Sequence, residues 1–530
     1  MIRISLLLKR HGPCLSSTLA DLLIAETGMS AESARKNISR AVQSEEISSM
    51  KGIFPRRESF VYCREDFGGD HFWCVLTGEL IRSGSATGLA LSALLARGGI
   101  MPVAHFAAAS GAPLAMKKKL SAGAVRDILT GTGLCQLVQL PGVGECIALK
   151  ERREDRYDDV AMKVKARLKT EDVFIDALVQ WARNLNFFSF DAVRTRSEEA
   201  AELPLISVYP FDITAPSYLS PLVSQAETSS RPGFFACDVL LGASLTLEQV
   251  QPFITKSRAI RALKNVGRTL FVFAASRFEP DAFQALKQNG IVPATPENLF
   301  GKAVAECLAE LSQFLSGLTS HREGDAEKID SIMESLKHVR GATAQLRGAL
   351  FEYLVAEAVR LEGGSVRIGR ICRDGKGNKA DSDVCILKPN IDVCFIECKG
   401  YRPYSEIPHD IIRHWIGKQV PVFLAQGRAD EPNAKIRLEL WTTGRLSAES
   451  REALDRFTEN NSIHKRYIVR IREAWEVRKA FHDTRNKALI DVYEKHFARD
   501  PRSDNAPPVV QTARRLAGGV EIPDAETDPD

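Results

Sequence analysis

No apolar run among the 530 residues approaches the roughly 20 that cross a bilayer, so no membrane-spanning helix is expected. No Cys-x-x-Cys pair occurs, and the eleven cysteines sit mostly in apolar segments such as Phe235-Ala236-Cys237 and Val384-Cys385-Ile386. That pattern argues against a structural zinc and predicts reduced, buried thiols in a cytoplasmic protein. The opening segment Met1 to Arg10 has too short an apolar core for a signal peptide and lacks a small-residue cleavage pattern. Charge of one sign is also scarce. With a net charge of only +4, any nucleic-acid contact must come from local clusters instead of a globally basic surface. Glu-x-Lys occurs once, at Glu397-Cys398-Lys399. What the chain does have is length and apolar content: at 44% hydrophobic it predicts several cores, roughly three to five domains.

Residues 1–66 read as three helices and a short strand pair. Ser17 to Glu26 presents Leu19, Leu22 and Leu23 on one face, Gly28 ends that helix, and Ser30 caps a third helix through Ala41. This is helix-turn-helix spacing. The third helix carries Arg35, Lys36, Asn37 and Arg40, and the alternating stretch Ile47 to Tyr62, turning near Lys51-Gly52, reads as a wing. Residues 67–150 repeat the plan, with helices at Leu89 to Arg97, Val103 to Ala109 and Ser121 to Leu129. A hairpin follows, Cys135 to Leu140 and Glu145 to Leu149, around Pro141 to Gly144. Lys117, Lys118 and Lys119 precede the last helix. With Arg35, Lys36 and Arg40 they are the candidate DNA contacts, weighed against the ordinary alternative of basic side chains on a solvated face.

A charged linker is predicted over 151–169. From 170 onward, a helix at Glu171 to Ala182, strands at Phe188 to Val193, Leu205 to Phe211, Gly233 to Leu241 and Thr269 to Ala274, and a helix at Leu247 to Leu263 argue for an α/β layer. Asp325 to Leu361 is strongly helical, with breaks expected at Gly341 and Gly348. Residues 500–530, rich in Pro, Asp, Gly and Ala, are expected to be a disordered tail.

The candidate chemistry centres on the run Val393 to Lys399. In a strand, side chains alternate faces, so Glu397 and Lys399 emerge together while Cys394, Ile396 and Cys398 point the other way. A carboxylate beside an amine suits phosphodiester hydrolysis, which needs a cation held by hard oxygens and positive charge near the attacking water. Glu352 lies on the preceding helix. Asp381 and Asp383 begin a strand that can pair with Asp392 to Lys399 through Lys388-Pro389-Asn390, bringing Asp383 beside Glu397.

Helix-borne Glu, strand-borne Asp, then Glu-x-Lys on the next strand resembles the PD-(D/E)xK, or restriction-endonuclease-like, superfamily. The turn Thr442-Thr443-Gly444 after the strand at Leu438, the helix Ala448 to Phe457 and the strand Tyr467 to Ile471 resemble its Mrr-like branch; the resemblance spans about 341–475. It implies that Asp383, Glu397 and the backbone carbonyl of Cys398 bind Mg²⁺, with Mn²⁺ able to substitute. Lys399 would orient or activate the water, and Glu352 would support the site. The family's proline before the aspartate is replaced by Ser382, which leaves Asp381 as a competitor for Asp383. The segment 170–302 resembles the same fold in worn form. Asp212 follows a strand there, but Phe234 to Val239 has neither glutamate nor lysine at the expected places. Leu270 to Ser276, Asp281 to Leu286 and Gly290 to Val292 resemble the closing strand, helix and strand.

The expected fold class is therefore multidomain: all-α/winged-helix N-terminal units, then two α/β restriction-endonuclease-like domains, each a central mixed sheet flanked by helices. The order is 1–66 and 67–150 winged helices, 151–169 linker, 170–302 inactive domain, 303–340 helical linker, 341–499 active domain and 500–530 tail. The resemblance implies a metal-dependent DNA endonuclease in restriction or antiphage defence, acting as a homodimer, with further defence-system subunits as partners and no membrane association. The alternative is a non-catalytic DNA-binding regulator or assembly scaffold. The ordinary alternative for Glu397 and Lys399 alone is an exposed ion pair worth ~0 to 1 kcal/mol. His409 and His414, five apart and so on different faces of a helix, receive no catalytic role, and Arg413 and Lys418 are candidate phosphate contacts weighed against the ordinary alternative of solvated side chains.

Overall fold

The structure, a computed structural model, describes residues 3–54, 58–140, 142–150, 157–188, 192–196, 203–226, 229–316, 325–336, 342–403, 405–461 and 467–498. The expected tail, the charged run 151–156 and the middle of the strand expected at 188–193 lie outside them. The fold is multidomain and mixed α/β, and no helix among the described residues is long and apolar enough to cross a membrane. It divides into two compact units, Met1–His321 with Ser335–Thr343, and Arg322–Glu334 with Ala344–Asp530.

The first unit opens with helix Ile4–His11, strand Cys14–Leu15, helices Ser16–Thr27 and Ala31–Gln43, and strands Ser48–Met50 and Phe60–Tyr62. The last strand lies between the other two, antiparallel to both. The sequence signals work as expected. Gly28 turns left-handed to stop one helix, and the Ser30 hydroxyl accepts a hydrogen bond from the Ser33 N–H to start the next. The same order recurs in Ala86–Leu95, Ile100–Pro102, Val103–Ala109, Ala122–Gly131, Cys135–Leu140 and Gly144–Leu149. An unanticipated helix, Asp70–Arg82, joins the two runs. Its Phe72, Trp73, Leu76 and Leu80 bury into one core with Met50 and Phe60 on one side and Leu91, Leu94 and Val125 on the other.

A five-stranded sheet follows, in the order Arg194–Thr195, Ile213–Ser217, Gly233–Leu245, Thr269–Phe278 and Ile291–Ala294. Neighbours among the first three strands are antiparallel, and the last three strands are parallel. Helix Tyr157–Asn184 precedes the sheet, and helices Leu247–Arg261 and Pro280–Gln288 connect the parallel strands, which need a crossover instead of a tight turn. The strand expected at Leu205 to Phe211 is instead a small hairpin, Leu205–Ile206 against Tyr209–Pro210, reversing at Ser207 with φ +57°. Asp212 therefore leads into the second sheet strand.

In the second unit, strands Ser365–Arg373, Lys379–Lys388, Asp392–Lys399, Lys435–Thr442 and Tyr467–Arg472 form a sheet with the same order and the same directions. The expected break at Gly348 does not occur. Helix Ala342–Arg360 runs through it because Leu346, Leu350, Phe351, Leu354 and Val355 bury a continuous apolar face, which outweighs the ~1 kcal/mol cost of an interior glycine. The first strand was not anticipated, since its arginines interrupt the apolar pattern. Helices Ala474–Asp483 and Lys487–Tyr493 were also unforeseen, and they bury Val477, Phe481, Leu489 and Tyr493.

Gly400, just past the third strand, seats that strand end on the helix. A Cβ there would lie 2.8 Å from the Arg347 carbonyl oxygen and 2.9 Å from Phe351 Cβ. Gly400→Ala should lower the urea midpoint, with a loss of about 1–3 kcal/mol from overpacking.

Candidate active site

The third strand of the second sheet, Asp392–Lys399, is buried along nearly its whole length, as a strand covered on both faces must be. Its antiparallel pairing runs from Lys388↔Asp392 to Val384↔Ile396. One further step puts Asp383 directly opposite Glu397, so the two side chains share a face, with Lys399 two residues beyond. The turn between the strands uses Asn390 at φ +58°, and the Ile391 N–H donates to the Lys388 carbonyl.

The contacts follow from that register. Lys399 Nζ lies 2.9 Å from Glu397 Oε1. The Cys398 backbone N–H donates to Asp383 Oδ2 at 2.7 Å, tying the aspartate to the middle of the Glu-x-Lys run. Glu352 is buried on the helix Ala342–Arg360, and its charge reaches Cys398 and Lys399. Burial, and then the charge of Asp383, push Glu397 up to about 7, against the opposing pull of Lys399 and Gln419. At Lys399 burial disfavours the ammonium, but Glu397, Asp383 and Glu352 outweigh it and hold its pKa above the ordinary lysine value.

Glu352, Asp383, Glu397 and Lys399 therefore come together. Asp381 lies on the same strand face as Asp383, two residues further from the turn. Asp383 is the one whose carboxylate holds the motif backbone. Two facing carboxylates, a third nearby and one lysine leave a surplus of negative charge among hard oxygen donors. Carboxylates with a backbone carbonyl are the donor type that Mg²⁺ and Mn²⁺ take, although among the described residues the group whose ligand atoms lie within 4.8 Å of one another is a different one, Asp330, Glu334 and His496.

Sequence reasoning missed Gln419, whose Nε2 donates to Glu397 Oε2 at 3.2 Å. It ends a π-helical turn, Trp415–Gln419, set between helices His409–His414 and Val420–Asp430. Such turns are frequent at functional sites, but the wider spacing leaves no periodic signal. Gln419→Ala should reduce any activity at this site about tenfold, by freeing Glu397 to turn, without lowering thermal stability by more than about 1 kcal/mol.

The remaining candidates lie elsewhere. His409 Nδ1 is 3.3 Å from Ser450 Oγ and its Nε2 is 3.7 Å from Glu449, so it serves the neighbouring helix Ala448–Asn461. Arg413 pairs with Asp410. In the first unit, Arg35, Lys36 and Arg40 are exposed on helix Ala31–Gln43. Lys36 is held by Glu32 at 2.9 Å, whereas Arg35 lines a cleft of about 450 Å³ with Ser39, Gln43 and Lys51. Lys117, Lys118 and Lys119 are exposed ahead of helix Ala122–Gly131, and Lys119 Nζ donates to the Tyr209 hydroxyl at 3.3 Å. A separate group in the second unit, Asp330, Glu334 and His496, brings its possible ligand atoms within 4.8 Å of one another. Lys495 already lies 2.9 Å from Asp330 and 3.0 Å from Glu334 there.

Comparison of the chain with protein-family models, with curated proteins and with solved structures finds no match.

Proposed function

We propose that this chain is a Mg²⁺-dependent DNA endonuclease whose cutting site is Glu352, Asp383, Glu397 and Lys399. The observation that carries the reading is that Asp383 holds the Cys398 N–H at 2.7 Å while Lys399 lies 2.9 Å from Glu397, so that all three side chains meet on the Glu-x-Lys run. Asp383 and Glu397, with the Cys398 carbonyl, would hold the cation. When bound, it supplies acidified water and offsets charge on the phosphate under attack. Lys399 keeps its proton, so it acts as a hydrogen-bond donor that orients the attacking water and offsets developing negative charge. Gln419 fixes the Glu397 carboxylate, and Asp383 is fixed by the Cys398 N–H.

Support for the surrounding architecture is topological. A five-stranded mixed sheet with one strand order and one set of directions occurs twice, in keeping with two copies of a single α/β fold. The two helix-strand-helix-helix-strand-strand runs in residues 4–149 match the winged-helix plan. Helix Ala31–Gln43 would face DNA through Arg35 and its cleft. The central domain is proposed to be the inactive copy.

Supercoiled plasmid incubated with the full chain should be nicked or linearised in Mg²⁺ and untouched in EDTA. Plasmid that stays supercoiled in both conditions removes the nuclease reading.

A further inference from the structure

The central sheet keeps the geometry of the C-terminal site but fills it with its own cations. Pairing of Ile213 with Cys237 puts Asp212 opposite Asp238, as Asp383 stands opposite Glu397. Asp212 Oδ2 accepts from the Val239 N–H at 2.7 Å, the counterpart of Asp383 accepting from Cys398 at the same distance. Glu171, on the helix before the sheet, accepts from the Leu241 N–H at 3.1 Å. Asp238 thus keeps a carboxylate at the place of Glu397, one methylene shorter.

Three further replacements separate the two sites. Leu240 stands where Lys399 does. Arg196 falls opposite Asp212, and its guanidinium bonds Asp212 at 3.1 Å and Glu171 at 2.5 Å. The matching register position in the second sheet is Gly369, which has no side chain and sits at φ +65° between the pairs Ile368↔Val384 and Arg370↔Ser382. Where Gln419 reaches Glu397 from the crossover helix, Lys256 reaches Asp238 at 2.6 Å. Lys256 is 0% exposed, and its other two protons go to the carbonyls of Pro210 at 2.9 Å and Ala108 at 3.0 Å. Ala108 belongs to the helix Val103–Ala109 of the front region.

That contact is one of several. Arg167, one turn before Glu171, donates to the Arg97 carbonyl at 2.6 Å and the Ile100 carbonyl at 3.5 Å. Gly111 lies so close to helix Leu247–Arg261 that a Cβ would meet the Pro252 carbonyl oxygen at 2.5 Å. Ala96 shares a core with Phe211, Phe253 and Phe273. Glu171, Asp212, Asp238 and Arg196 are all at most 6% exposed, whereas Asp383 and Lys399 in the second sheet are only half-buried, so the face of the proposed cutting site is more fully covered in the first sheet.

We infer that the central site is an intramolecular clasp: Arg196 and Lys256 take the place of a divalent cation among Glu171, Asp212 and Asp238, and Lys256 with Arg167 seats the front segment 97–111 on that face. The inference rests on reading the central sheet as an inactive copy of the C-terminal one. It gives the worn site a present role, holding the front region and the central sheet as one rigid body.

The test uses the full chain with Asp383→Asn and Glu397→Gln, which silences the C-terminal site. Lys256→Gln in that background should lower the melting temperature and speed amide hydrogen exchange over residues 97–111 at least tenfold. Should that variant fail to fold, Lys256→Met with Asp238→Leu removes both charges without stranding one in the interior. It should fold and still show the faster exchange confined to that segment. Exchange at the parent rate in both variants overturns the clasp. So does Mn²⁺ bound to the parent background, read by electron paramagnetic resonance, that disappears on adding Asp212→Asn. Plasmid cleavage by the parent background that Asp238→Asn abolishes would instead overturn the reading of the central site as inactive. Loss of cleavage on going from the unmodified chain to the parent background reports on the C-terminal site independently.

Discussion

Lys399→Ala is expected to leave plasmid supercoiled under the conditions in which the proposed function has the unmodified chain cut it, a loss of at least ~10³-fold when read as initial rate in Mg²⁺. Two effects combine. The variant removes the one cation held 2.9 Å from Glu397, and so the donor that would steady the water and the developing charge. It also leaves Glu352, Asp383 and Glu397 with no lysine among them, so Glu397 keeps its proton to still higher pH. Lys399→Arg keeps charge but not the compact ammonium, and is expected to recover only a small part of the rate. Cleavage by Lys399→Ala at the unmodified rate would move the cutting site away from the Glu-x-Lys run. Circular dichroism of the variant should match the parent, since Lys399 sits at a strand end and is half-buried.

Acidification is expected to have the next largest effect. Glu397, raised by burial and by Asp383 from 4.5 to about 7, binds a proton more tightly in the folded chain than in the unfolded one. Between pH 4.5 and 7 the folded state therefore carries the extra proton, and this residue's contribution to stability falls as pH rises through that window. A cation must displace the same proton. At subsaturating Mg²⁺ the cleavage rate should consequently fall by up to about tenfold for each pH unit below 7, and added Mg²⁺ should restore it. Without metal, the melting temperature of the unmodified chain should decline from pH 5 to 7 more steeply than that of Glu397→Gln, in which the titrating group is gone. A rate independent of pH across this range, or a decline that persists in Glu397→Gln, would assign the proton to another group.

Legibility in the sequence followed the range of the interactions. Helix boundaries set by local chemistry, such as Gly28 and Ser30, fall within two residues of expectation. The strand Ser365–Arg373 was invisible because its arginines reach partners outside the strand: Arg370 pairs with Asp430 at 2.7 Å, on the crossover helix. Helix Asp70–Arg82 was missed because its apolar residues pack against neighbours on both sides within one core, which blurs the one-sided periodicity.

Alternation along an extended strand was enough, by itself, to put Glu397 and Lys399 on one face, and the short turn at Lys388 to Asn390 was enough to bring an aspartate alongside. Those are local rules with a period of two residues and a loop of few. Tertiary structure alone decided that Asp383 holds the Cys398 N–H, that Gln419 reaches Glu397 from a π turn, and that the same face of the central sheet is filled by Arg196 and Lys256. Each depends on which strand step or helix turn comes to rest against the sheet. That is settled by packing between residues far apart in the chain, about which local pattern carries no information.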